Sequence, residues 1–214
     1  LLEEISAQIP VIIVTSKDFD FVYPRTKFAK AWACVSGLEA RLSDGTTYGS
    51  EGLHDLEGFF EEVRGLGFSE SMFESKRSRE GVLLGFSIDW RGGRKPSEEL
   101  LSEVLKLATG RAFVDFNIEN PYVDFYAGPP QKGKAVRRLR DILKLQEAVI
   151  FIGDSSQDNS AFRETEVSVG VSHGQPLSGL DCKYIVRDRE LPRLLSSLLS
   201  RKMDFSPAMV GRRD

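Results

Sequence analysis

The sequence predicts an α/β protein in which parallel strands alternate with helices, interrupted by an inserted α+β module. Three observations carry this reading. Residues 148–152 form a short apolar run rich in β-branched residues, as in a strand covered on both faces. A second such run occupies residues 11–14. Between them the texture changes to two strand pairs around one helix, over about residues 49–126.

The elements follow in order. Residues 2–8 read as the end of an amphipathic helix rather than a signal peptide, stopped near Pro10. The strand at 11–14 ends in Thr15-Ser16-Lys17, which sets two hydroxyls and an ammonium at its carboxyl end. A short helix is expected around 25–30, then a strand and turn at 32–37. Ser43-Asp44-Gly45 signals a hairpin within 42–48. Residues 51–64 are helical in pattern, broken at Gly65 and Gly67. Residues 72–76 and 81–90 read as antiparallel strands around the charged turn Arg77-Ser78-Arg79-Glu80. Pro96, Glu98, Glu99 and Gly110 mark a helix over 96–107. Strands at 112–118 and 122–126 complete the insert.

After Gly128-Pro129-Pro130 the alternation resumes. A helix over 132–145 carries Ala135 and Leu139 on its apolar face. The strand at 148–152, a helix near 160–164, strands at 167–171 and 184–186, and a helix at 191–199 follow. The tail, with Arg201, Lys202, Arg212 and Arg213, reads as loosely ordered. The predicted core is thus 1–48 with 127–214, and the insert is 49–126.

Composition narrows the function. A 41% hydrophobic content over 214 residues suffices for a real core. A net charge of −3 argues against a general nucleic-acid binder. No apolar run reaches the roughly 18 residues of a membrane span, so no membrane partner is expected. Cys34 and Cys182, far apart in sequence, fit reduced thiols in a cytoplasmic protein. Oligomeric state is not readable.

The strand at 148–152 ends in Gly153 and then presents Asp154 and Asp158, four residues apart. In open α/β sheets, ligands bind beyond the carboxyl ends of the strands. Two carboxylates at such an end suit Mg²⁺. The plainer alternative is turn chemistry, with an aspartate capping the next helix. His54 and His173 lack metal spacing, and Trp32 and Trp90 read as packing. No Gly-x-Gly-x-x-Gly follows a strand, which argues against a dinucleotide site.

Three elements line up in order: Thr15 and Ser16 after one strand, Lys132-Gly133 opening a helix, and Asp154 with Asp158 after the next strand. This order resembles motifs two to four of the haloacid dehalogenase superfamily of phosphohydrolases. The segment Gly153-Asp154-Ser155-Ser156-Gln157-Asp158-Asn159-Ser160-Ala161-Phe162 is similar to the trehalose-6-phosphate phosphatase version. So are residues 122–136, which join cap to core in that family, and the hairpin over 73–86. The resemblance implies a Rossmann-like core with an inserted cap, and a Mg²⁺-dependent phosphatase acting on a sugar phosphate through an aspartyl-phosphate. It implies that Thr15, with Ser16 beside it, binds the phosphoryl oxygens, that Lys132 supplies positive charge, and that Asp154 ligates the metal. Asp158 would support the metal shell or hold Lys132. On the cap, Glu74, Lys76 and Arg91 are candidate substrate contacts. The hairpin lacks a His expected of a trehalose phosphatase, which leaves another sugar phosphate equally open.

The family's first motif, an Asp-x-Asp pair whose first member is the nucleophile, is not found in place. Asp18-Phe19-Asp20 has the pattern but follows its strand only after Thr15-Ser16-Lys17. The expectation is therefore an amino-terminally truncated chain with its nucleophile upstream, poorly stable and inactive alone because two buried strands lose their shared neighbour. The rival expectation is a non-catalytic homologue that binds a sugar phosphate or a partner protein.

Overall fold

The computed structural model describes residues 1–174 and 179–212 and contains three four-stranded sheets. The chain opens with helix α1 (Leu2–Ser6), strand β1 (Ile12–Val14) and short helix α2 (Phe19–Val22). Strands β2 (Ala31–Cys34), β3 (Glu39–Leu42) and β4 (Thr47–Gly49) complete the first sheet, in the order β1-β2-β3-β4. β1 runs parallel to β2, with Ile13 opposite Trp32, and the other pairs are antiparallel. The helix expected around 25–30 lies earlier. The Asp18 side chain accepts from the Phe21 N–H and starts the helix at Phe19. A single 3₁₀ turn over Tyr23–Arg25, containing Pro24, then ends it.

The middle unit holds helix α3 (Glu57–Arg64), strands β5 (Phe73–Arg77) and β6 (Leu83–Asp89), helix α4 (Glu98–Leu107), and strands β7 (Phe113–Phe116) and β8 (Tyr122–Tyr126). Its sheet is antiparallel throughout, ordered β5-β6-β8-β7. Ser97, not Pro96, caps α4: its Oγ accepts from the Leu100 N–H at 3.2 Å. Side chains alternate across a strand. Phe86, Ile88, Val123 and Phe125 therefore share one face and bury themselves against Phe59, Val63, Leu101 and Val104 of the two helices. The opposite face is polar.

The last segment supplies helix α5 (Lys132–Ile142), strand β9 (Ile150–Gly153), helix α6 (Asn159–Phe162), strands β10 (Val167–Ser172) and β11 (Tyr184–Arg187), helix α7 (Leu191–Ser200) and strand β12 (Gly211–Arg212). Here the order is β12-β11-β10-β9, parallel except for β12. The tail expected to be loose thus returns to the sheet, with Gly211 opposite Ile185. Arg213 lies outside the described residues.

The two flanking sheets stop at β1 and at β9. Each of these strands has one hydrogen-bonded neighbour, and among the described residues no strand joins them. Val14 of β1 nevertheless packs on the apolar cluster of Phe151, Val136 and Phe162. No described helix is long and apolar enough to cross a membrane.

Candidate functional site

The site is assembled from loops at the carboxyl ends of β1, β2 and β9 and from the start of α5. Backbone hydrogen bonds tie three of these together. The Ser36 N–H donates to the Thr15 carbonyl at 2.8 Å, and the Ser36 carbonyl accepts from the Gln131 N–H at 2.8 Å. Val35 and Ser36 both take left-handed backbone angles, φ 47° and 55°, in the tight reversal after β2. The two hydrogen bonds hold Ser36 between the Thr15 loop and the residue before Lys132 and offset the cost of that conformation. Thr15 is half-buried, and its Oγ1 accepts from the Lys17 N–H at 3.1 Å. Ser16 lies beside it, also half-buried.

Lys132 opens α5 and is 6% exposed. Its Nζ donates to Asp158 Oδ1 at 2.8 Å. Asp158 is 4% exposed, and its Oδ2 accepts from the N–H groups of Asp154, at 3.0 Å, and Ser155, at 3.2 Å. Ser155 and Asp158 together form a capping box. Two glycines make this geometry possible. A Cβ at Gly133 would collide with the Ser160 carbonyl, so only glycine lets α5 approach α6 this closely. A Cβ at Gly153 would lie 2.5 Å from Asp158 Oδ2. Both Asp158 oxygens are therefore engaged by protein donors. The residue holds Lys132, one of the two roles the sequence suggested for it, and shapes the loop.

Asp154 is the available carboxylate, with a side chain 60% exposed. Its Oδ2 lies 3.3 Å from His173 Nε2, and His173 Nδ1 lies 3.4 Å from Asp188 Oδ2. Hydrogen bonds to Asp154 and then Asp188 hold the imidazole above its ordinary pKa. Spacing in the sequence gives no sign that His173 would reach Asp154. Among the described residues no cluster of three or more His, Cys, Asp or Glu side chains is arranged to hold a metal.

The polar face of the middle sheet roofs these groups. Lys17 Nζ donates to Glu74 Oε2 at 2.5 Å across the gap. The Tyr126 hydroxyl meets Ser36 Oγ at 3.2 Å. Lys76 is 1% exposed and donates to Asp124 Oδ1 at 2.6 Å. Arg91 pairs with Asp89 at the exposed end of its strand. Of the three roof residues singled out in the sequence, Glu74 reaches Lys17 of the core, Lys76 is sealed in an ion pair, and Arg91 pairs with Asp89 and lies over the Tyr122 ring. Asp18 is committed to capping α2.

No family model and no curated protein matches the sequence. In three dimensions the fold is that of the haloacid dehalogenase superfamily phosphatases. A trehalose-6-phosphate phosphatase related protein is similar over 94% of this chain and 85% of its own, with 16% identity and a TM-score of 0.68. A haloacid dehalogenase-like hydrolase from Bacteroides thetaiotaomicron gives a TM-score of 0.72 at 14% identity, covering 94% of this chain and 89% of that one. A subclass IIB sugar phosphatase of the superfamily gives 0.62 at 10% identity, over 95% and 92%.

Proposed function

We propose that this chain is the phosphate-handling part of a phosphatase that hydrolyses a sugar phosphate monoester, with residues 49–126 as its cap. The observation that carries the reading is the buried Lys132–Asp158 pair, tied through Gln131 and Ser36 to Thr15 at the end of the neighbouring sheet. A cation and a hydroxyl fixed beside strand ends are suited to phosphoryl oxygens, because stabilising transferred charge is mainly electrostatic positioning. Asp158 orients Lys132, Lys132 takes the phosphoryl charge, and Thr15 with Ser16 donates hydroxyl hydrogen bonds. Asp154 suits Mg²⁺, which keeps several waters and takes only one or two carboxylates beside the substrate phosphate. When bound, the ion would neutralise phosphate charge.

The nucleophile in this reading is a carboxylate on a strand lying between β1 and β9, where among the described residues neither edge is paired. Its oxygen would attack phosphorus, the bond to the sugar oxygen would break, and water would then hydrolyse the acyl phosphate. Phosphate release by the full-length protein from a sugar-phosphate panel tests this. Lys132→Ala is expected to lower kcat at least 100-fold. Turnover within threefold of wild type would overturn the assignment.

A non-catalytic homologue is the second reading. It is favoured by one observation: Asp18, the Asp-x-Asp residue nearest Thr15, is spent as a helix cap. Saturable sugar-phosphate binding by the full-length protein without release of phosphate would be its signature.

A further inference from the structure

The first sheet has two covered faces. On one, Ala31, Ala33 and Ala40 cluster with Ala135 and Leu139 of α5. Side chains alternate across a strand, so Trp32 and Cys34 of β2 and their partners Arg41 and Glu39 of β3 share the other. The middle unit helps to cover that second face. Leu84 near the start of β6 and Tyr126 at the end of β8 join Trp32, Cys34, Val35 and Leu38 in one buried apolar cluster.

Glu39 is 1% exposed on this face. Its Oε2 accepts from Arg41 Nε at 3.0 Å, and the Arg41 guanidinium lies over the Phe19 ring at 4.2 Å. Its Oε1 accepts from the Arg79 backbone N–H at 2.9 Å. Arg79 belongs to the turn between β5 and β6, so this bond joins the inserted unit to the first sheet. The Arg79 side chain reaches further and donates to the Gly45 carbonyl at 2.9 Å, between β3 and β4. The turn is braced from within. Ser78 Oγ accepts from the N–H groups of Glu80 and Val82, both at 3.2 Å, and Arg77 donates to the Gly81 carbonyl at 2.8 Å.

The tie from Lys17 to Glu74 joins the same two units, but its side chains are 26% and 34% exposed, and such pairs are weak. The Glu39 tie is buried. A swing of the middle unit about its two linkers would draw Arg79 away and leave a buried carboxylate short of a donor, which is costly. It would also uncover the apolar face around Cys34 and Val35. Among the described residues, the apolar clusters of the last segment include no residue of 49–126. The middle unit is anchored on the sheet whose loops carry Thr15 and Ser36.

We infer that Glu39 is a strap: its hold on the Arg79 N–H fastens the middle unit to the first sheet, so that the unit does not swing about its linkers while the bond stands. The strap belongs to the fold and does not depend on what the site binds.

The test is the spread of distances between spin labels at Lys30→Cys, just before β2, and Glu103→Cys, on α4, in the full-length protein. Both positions are exposed, whereas Cys34 and Cys182 are buried and would not compete for label. With Glu39 in place, one narrow distribution is expected, and Glu39→Ala should give a broad one. Glu39→Gln should stay narrow, because its amide oxygen still accepts from Arg79. Exchange of the Arg79 amide with deuterium should speed about tenfold or more in Glu39→Ala, the scale of one lost hydrogen bond to a charged group. Arg79→Pro removes the same donor from an exposed turn and should broaden the distances as Glu39→Ala does, which decides the matter where Glu39→Ala fails to fold. A broad distribution with Glu39 and Arg79 intact would overturn the strap. So would a narrow one in a folded Glu39→Ala or Arg79→Pro, or equal broadening in Glu39→Gln and Glu39→Ala.

Discussion

In the middle sheet, β6 and β8 are each flanked on both sides, and Phe86, Ile88, Val123 and Phe125 are fully buried. In the flanking sheets, β2 and β10 are equally well covered, but Ile12, Ile13 and Val14 of β1 and Ile150 and Ile152 of β9 remain half-buried. These edge strands are as apolar as their neighbours. What separates them is that, among the described residues, each has a hydrogen-bonded partner on one side only. A parallel strand with an apolar sequence and an open edge carries unpaired backbone groups and exposed side chains, and both favour an added strand. Among the described residues, the most buried strands of the middle unit lie inside its sheet, whereas the apolar strands β1 and β9 beside the candidate site lie at sheet edges.

Core truncations measure this contrast most strongly. Phe86 stacks on Phe125 at 4.8 Å and also meets Phe59 and Phe60. Phe86→Ala is expected to cost about 3–5 kcal/mol in denaturant unfolding. Ile13→Ala, in half-buried β1, should cost only about 1–2 kcal/mol. Equal losses would mean that β1 is as well supported as β6.

Lys132 gives the next largest effect. Removing it leaves Asp158 buried without its cation, and Lys132→Ala should destabilise by about 3 kcal/mol. The double variant Lys132→Ala/Asp158→Ala should lose less than the two single losses combined, because neither charge is then stranded. Strict additivity would show that the pair does not act as a unit.

The gap can be probed by filling it. A peptide of about ten residues, Val- and Ile-rich and ending in Asp-x-Asp, should bind between β1 and β9. At 100 times its Kd it would stabilise the protein by about 2.7 kcal/mol. A melting temperature unmoved by millimolar peptide would mean that the edges do not form one slot.

The smallest expected effect depends on pH. Asp115 has a raised folded-state pKa, caused first by burial and then by Asp124. Its neutral form costs nothing below the ordinary carboxyl range, and the destabilisation grows as pH rises through the raised value. Asp115→Asn should therefore stabilise slightly, by less than about 1 kcal/mol, at neutral pH and not at pH 3. Thermal melts at the two pH values check this, and a destabilised variant at pH 7 would contradict it.

Much of this was legible in the sequence. Short β-branched runs at 11–14 and 148–152 mark parallel strands, because such composition is typical of strands in parallel sheets. The match of 122–126 to β8 and the helix marked by Glu98, Glu99 and Gly110 rest on local backbone and capping chemistry, which acts within a few residues. Lys132-Gly133 and Gly153-Asp154 could be aligned in order, and that order pointed to the phosphatase fold.

Other features were decided only by the tertiary structure. Nothing local reveals that Gly133 and Gly153 are needed because Ser160 and Asp158 come within contact of them. Which group engages which carboxylate depends on separate segments: Lys132 reaches Asp158, and His173 reaches Asp154. The rung of the middle sheet that aligns Glu74, Asp124 and Asp115 exists only once three strand-pair registers are fixed. The sequence alone determined most of the elements, since propensity and periodicity are short-range, whereas the place of α2 and the return of the tail to the sheet as β12 were decided by the fold. The site needed the folded chain, because hydrogen bonds and charge pairing fall off within a few ångströms and residues far apart in sequence enter that range only through packing.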